Sequence, residues 1–169
     1  MMILNRIKSV FSLTALITSI VVPLLIAMNC AKPAVNNDAT KQSGYVFTDT
    51  WVTQVPESNE TTAAYFTLAN ETGVDDVLLG AVSDIAEFIE IHEMIQDKDV
   101  TGMKMLDQVE VKTNDSVQFS PGGLHLMLIG LTSPVKKGSP ITITLKFQNA
   151  GDVKVNFEVK APHEYFEGE

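Results

Sequence analysis

Cysteine and tryptophan are scarce in the sequence. Its 169 residues include one cysteine, Cys30, and one tryptophan. A single cysteine cannot form an internal disulfide, so the fold must be stabilised by its apolar core alone. The stretch beyond Cys30 is long enough to bury such a core.

Basic residues are also few. All 21 Asp and Glu follow Cys30, together with ten of the 12 Lys and Arg, and the net charge of the chain is −9. The Lys and Arg residues form no patch or stripe in the sequence, so we expect no nucleic-acid partner. No Ser/His/Asp set and no paired carboxylates stand out, so the sequence predicts that the protein is not an enzyme.

One long apolar run lies near the N-terminus, at residues 10–28, after two basic residues. A basic start followed by an apolar run is typical of an export signal, and this run is nearly long enough to cross a bilayer. Cys30, just beyond it, resembles the lipidation site of bacterial lipoproteins. We therefore predict a signal peptide or membrane anchor at residues 1–29 and a lipid on Cys30. An uncleaved anchor helix and ordinary signal cleavage remain open alternatives.

Short alternating segments separated by turn residues fill the chain from Tyr45 onward. A period of two is typical of strands that bury one face. Short strands at this spacing, with no long helical pattern, predict an all-β antiparallel sandwich or barrel. The predicted strands are Tyr45–Val55, Ala63–Ala69, Val77–Val82, Glu87–Ile95, Met103–Lys112, Ser116–Phe119, Leu124–Ile129, Ile141–Phe147 and Val153–Val159.

The predicted organisation has four parts. Residues 31–44 are small and polar without periodicity, which is typical of a flexible tether. The parts are the signal peptide or anchor at 1–29, the lipidated cysteine and tether at 30–44, the sandwich domain at 45–161 and a tail at 162–169.

Methionine and histidine cluster in one part of the predicted domain. All four methionines beyond Cys30, and two of the three histidines, fall between residues 92 and 127. Methionines that only fill gaps in a core would be scattered along all the strands. On a strand, residues i and i+2 face the same side, so each of three segments presents two such side chains together. The segments are His92-Glu93-Met94, Met103-Lys104-Met105 and His125-Leu126-Met127.

The ligand types select the metal. Thioether sulfur is soft and uncharged and prefers Cu(I), and imidazole also suits copper. Zinc would need more imidazole, thiolate or carboxylate, and calcium would need oxygen. A blue-copper electron carrier needs a cysteine thiolate, which is disfavoured because Cys30 lies at the lipidation site. The sequence therefore predicts a Cu(I) site made of His and Met.

These residues resemble the motif H-x10-M-x21-H-x-M of the periplasmic copper chaperones of the PCuAC type. Ten residues separate His92 from Met103, 21 residues separate Met103 from His125, and Met127 completes the motif. The resemblance covers about residues 47 to 147. Other segments that are similar to the family are TWV at 50–52, AAYFTL at 63–68, EIHEM at 90–94 and PGGLHLML at 121–128.

The resemblance implies a Greek-key, cupredoxin-like sandwich that binds one Cu(I). It implies as ligands His92, His125, Met127 and a further methionine. The literal spacing selects Met103, whereas family members with Met-Arg-Met use the second methionine, which aligns with Met105; both remain candidates. Met94 is a candidate auxiliary ligand.

The resemblance also implies a function, that of a Cu(I) metallochaperone. Such a protein would work in the periplasm or on the outer surface of the cell envelope, and we expect it to be a monomer. It would hand copper to an acceptor, a cytochrome oxidase copper centre or an assembly factor. Two alternatives stay open: a metal-free structural or interaction lipoprotein, and a copper storage or detoxification protein that holds more than one copper per chain.

Overall fold

The structure is a computed structural model that describes residues 40–97, 100–162 and 164. The predicted signal peptide, Cys30, the first part of the tether and most of the tail lie outside the described residues. No stretch within these ranges forms a helix with the length and apolar content that crossing a bilayer requires.

The described residues form eleven strands, and the alternating pattern gives most of them one apolar face. Along β3 the side chains alternate strictly between half-buried and buried, as expected for a strand with one face on the core. The strands are β1 Thr40–Gln42, β2 Tyr45–Thr53, β3 Thr61–Asn70, β4 Asp76–Val82, β5 Ala86–Asp97, β6 Val100–Leu106, β7 Val109–Val111, β8 Ser116–Phe119, β9 Leu124–Leu131, β10 Ile141–Phe147 and β11 Gly151–Lys160.

Two differences from the predicted strands have physical causes. The predicted strand Met103–Lys112 is wrong as one element, because β6 pairs with β5 whereas β7 pairs with β4. The chain thus changes partner between residues 106 and 109. Strand β1 lies within the predicted tether 30–44 and pairs with the start of β2, so the last part of that segment is a strand followed by a turn.

The strands pair in the order β6-β5-β9-β8-β3-β2-β11-β10-β4-β7, with β1 on β2 and a further pairing of β9 with β3. Strand β11 joins the two halves of this order. Most of its length is antiparallel to β10, and its last three residues run parallel to β2. The prediction of an all-β sandwich is confirmed.

The core lies between the two halves and is rich in aromatic rings. Phe66 stacks on Phe119 with ring centroids 4.3 Å apart, and Tyr45 stacks on Phe147 at 4.5 Å. Offset aromatic pairs add to the gain from burying their large apolar area. Leu126 and its neighbours on β9 and β5 face this core, so the alternate residues of those strands face outward.

Candidate metal centre

Strand register brings the two histidines of the predicted site together. His92 on β5 lies directly opposite His125 on β9 and opposite Met105 on β6. Directly opposed residues of antiparallel strands point to the same face of the sheet. The row Met105–His92–His125 therefore crosses three adjacent strands on one side.

The remaining methionines lie on the same side, one step along the strands. Met94 is directly opposite Met103, and Met127 is two residues beyond His125 and opposite Glu90. All the predicted site residues of the sandwich, and the auxiliary Met94, therefore share one face of the β6-β5-β9 sheet. This face is the outer one, because the alternating residues Ile91 and Leu126 are buried in the core.

An open cleft of about 390 Å³ lies over this face. Met94, Met103, His125 and Met127 contribute to its lining, and His92 and Met105 do not. Met103 and Met105 are each 55% exposed, since β6 stands at the end of the strand order. His125 is only 6% exposed. The site therefore has a buried imidazole at its base and accessible thioethers on its outer side.

Hydrogen bonds fix which ring nitrogen of each histidine is free. His125 Nδ1 lies 3.1 Å from Gly123 O, and His92 Nε2 lies 2.8 Å from Glu90 Oε2. Carbonyl and carboxylate oxygens only accept, so these two nitrogens carry the hydrogen in the neutral rings. The lone pairs are then on Nε2 of His125 and Nδ1 of His92. The ring centroids are 5.8 Å apart, near enough for one ion to meet both rings.

His92 Nδ1 is buried and has no hydrogen-bond partner within the described part of the chain. A buried polar atom without a partner is costly and calls for an explanation. An imidazole nitrogen with an unused lone pair is what a metal ion binds. The donor set thus fits copper: two neutral imidazoles beside uncharged thioethers. Among the residues that the structure describes, no group of three or more His, Cys, Asp and Glu is placed to hold a metal ion.

Two aromatic residues extend the row of site residues. Tyr65 on β3 lies with its ring centroid 6.3 Å from that of His125, and Trp51 on β2 lies 4.4 Å from Tyr65. Tyr65 also lines the cleft. The sequence showed these residues only as context similar to the family. Their place beside the histidines depends on the pairing of β9 with β3, which no local pattern predicts.

The chain matches a known protein family. The family model described as "Putative lipoprotein LpqE-like" matches residues 46–159, more than half of the chain. The chain belongs to this LpqE-like family. A relative from Leifsonia xyli subsp. xyli, named "Putative lipoprotein Lxx21020", is 28% identical over 100 residues, which are 59% of this chain and 60% of the relative. This LpqE-like chain therefore spans about three fifths of that relative's length.

Solved structures share the fold of the LpqE-like chain. A copper-bound PCuAC domain from PmoF2 superposes with a TM-score of 0.63 at 21% identity, over 74% of this chain and 99% of that domain. The solution structure of CuI-DR1885 from Deinococcus radiodurans gives a TM-score of 0.53 at 28% identity, over 78% of this chain and 85% of that one. The predicted cupredoxin-like fold and the resemblance to the PCuAC type are confirmed.

Proposed function

We propose that this protein is an extracytoplasmic copper(I) chaperone that binds one ion on the outer face of β5, β6 and β9. The observation that carries the proposal is that two imidazoles and several thioethers lie together on the outer face of three adjacent strands, with one hydrogen-bonded nitrogen in each ring. The similar structures named as copper-bound and CuI-bound support copper as the ion.

The ligands in this proposal are His92 through Nδ1, His125 through Nε2, Met127 and Met103. Met103 is preferred to Met105 because it lines the same cleft as His125 and Met127, whereas Met105 lies opposite His92, outside that cleft. The literal motif spacing also selects Met103. Met94, opposite Met103, serves as an auxiliary thioether that can take the ion while another ligand leaves.

The openness of the site suits transfer rather than storage. Every proposed ligand is neutral, so no charge must be separated when the ion leaves. A partner can approach the exposed thioether of Met103 and replace the ligands one at a time, ending at the buried His125. An exposed site whose ligands exchange stepwise gives up its ion faster than an enclosed one.

The family and its Leifsonia relative carry lipoprotein names, which supports an envelope location for this chain. We propose that Cys30 is lipidated and that the residues after it tether the domain to the membrane surface. The acceptor in this proposal is a respiratory oxidase copper centre or an assembly factor that serves one. The protein has no catalytic role of its own.

The proposal is tested by titrating the protein with Cu(I) under reducing conditions against a competing chelator. We expect one equivalent per chain and an X-ray absorption spectrum with both nitrogen and sulfur neighbours. Replacing His125 and Met127 together, H125A with M127L, should abolish this binding. Binding that stays near one equivalent in the double variant would contradict the ligand set, and two or more equivalents in the wild type would favour storage.

The same titration separates the two exposed methionines. M103L and M105L remove equally exposed thioethers that lie two residues apart on one face of β6. Each variant is therefore the matched control of the other. We expect M103L to weaken Cu(I) binding by about tenfold or more, and M105L to leave it nearly unchanged. The reverse result would assign the fourth ligand to Met105.

A further inference from the structure

Glu90 stands beside the proposed site without being one of its ligands. It lies on β5 two residues before His92, on the same outer face, and directly opposite Met127. Its Oε2 is 2.8 Å from His92 Nε2. The histidine side chain is 13% exposed and the glutamate side chain 38%, so the contact lies at the edge of the buried part of the site.

This contact makes one ring nitrogen of His92 a hydrogen-bond donor and leaves the other with its lone pair. A carboxylate offers only acceptor oxygens, so the nitrogen beside it must donate its N–H. The opposite nitrogen, Nδ1, keeps the lone pair and is the buried atom without a hydrogen-bond partner. The ring cannot turn Nε2 toward an ion without breaking the contact with Glu90.

The second histidine is held in the opposite sense. His125 donates from Nδ1 to the backbone carbonyl of Gly123, so it presents Nε2. Gly123 O also accepts the N–H of Met94, which ties this carbonyl to β5. One imidazole is therefore fixed by the backbone and the other by a single side chain. The Glu90 contact is the one that a substitution can remove.

We propose that Glu90 is a positioning residue of the copper site, which holds His92 so that Nδ1 meets the ion. The inference rests on the proposed function. Partners of this kind orient a ligating ring and strengthen it as a donor, and losing them lowers metal affinity by about 10- to 100-fold. Glu90 is then needed for tight binding although it does not touch the copper.

The first test is nitrogen-15 NMR of the histidine rings in the copper-free protein. We expect His92 to carry its hydrogen on Nε2, with that hydrogen protected from exchange by the carboxylate, and His125 to carry its hydrogen on Nδ1. On adding Cu(I), which is diamagnetic, the resonances that move most should be Nδ1 of His92 and Nε2 of His125. A His92 ring that carries its hydrogen on Nδ1 would overturn the proposal.

The second test compares three variants in the Cu(I) competition titration. E90A removes the acceptor and should weaken binding by about 10- to 100-fold, with loss of the protected Nε2 hydrogen. E90Q keeps an oxygen acceptor and should recover much of the affinity. E93A removes the same charge from the same strand, but from its opposite face, and should bind as the wild type does.

Equal affinities for E90A and E93A would refute the role of Glu90. Failure of the Glu90 proposal can be distinguished from failure of the copper proposal. If the wild type bound no Cu(I), the function would be wrong, yet the rings of the copper-free protein would still show whether Glu90 holds His92 through Nε2. If copper bound tightly and E90A had no effect, the function would stand without this contact.

Discussion

Asp76 is a buried carboxylate that accepts four hydrogen bonds. It is 4% exposed at the start of β4. It accepts the Tyr45 hydroxyl at 2.6 Å and the backbone N–H groups of Val77, Asn149 and Ala150 at 2.7, 2.9 and 3.0 Å. Burial alone would raise the pKa of this carboxyl, but the hydrogen bonds from Tyr45 and the backbone outweigh it, and the pKa is lowered. Asp76 thus ties β4 to β2 and to the turn before β11.

Replacing this carboxylate should destabilise the fold. D76N puts an NH₂ group where an acceptor faces several donors, so buried groups lose their partners. We expect the free energy of unfolding to fall by about 2 kcal/mol at neutral pH, measured by urea denaturation. D75N changes the adjacent, exposed aspartate and is the matched control, with a smaller expected loss.

The effect of D76N should depend on pH with a definite sign. A carboxyl whose pKa is lower in the folded state stabilises that state above its ordinary pKa, here 3.8. This stabilisation is lost as the pH falls through the folded-state pKa. The stability gap between wild type and D76N should therefore be full at pH 7 and shrink below about pH 4. A gap of constant size down to pH 3 would contradict this role of Asp76.

At the level of elements, the turn between β8 and β9 sets the position of His125. Gly123 donates its N–H to Ser120 O at 3.0 Å, and its carbonyl accepts from both His125 and Met94. Gly122 has φ of +80°, in the left-handed region that a side chain disfavours. The turn thus depends on glycine, and the site depends on the turn.

The substitution G122A should disturb both the turn and the proposed copper site. A Cβ at this position meets no atom within 4 Å, so the cost comes from the backbone conformation and is about 1 kcal/mol. Gly138 has φ of +83° and equally open surroundings, in the loop before β10, which makes G138A the matched control. We expect similar losses of stability from both variants and weaker Cu(I) binding from G122A alone. Equal copper affinities would show that the turn does not position His125.

The elements also show what a sequence can predict of this fold. The bounds of β8 and β10 follow directly from alternation and turn residues, and the shared face of each H-x-M segment follows from the period of two. Alternation is local, however, and cannot show that the chain between β6 and β7 changes partner. Alternation does not predict strand β1, because its residues, Thr-Lys-Gln, are mostly exposed and pair through the backbone. The proposed role of Glu90 does not follow from the sequence, because it rests on the distance between Glu90 Oε2 and His92 Nε2.

At the scale of the whole molecule, the proposed site and the core occupy opposite faces of the same strands. Ile91 and Leu126 point into a core that is closed by stacked aromatic rings, while His92 and His125 point outward. The core is therefore complete without the ion. This contrasts with small metal-dependent domains, in which metal binding supplies the free energy of folding.

Copper removal should accordingly leave the fold intact. We expect the chelated domain to keep its β-type circular dichroism and to unfold in one cooperative transition. Cu(I) should raise the midpoint of that transition, because a ligand that binds only the folded state stabilises it in proportion to the logarithm of its concentration. In the H125A/M127L variant this rise should vanish while the copper-free transition remains. A chelated wild type without cooperative unfolding would mean that copper is structural, and a structural ion could not be handed on without unfolding its carrier.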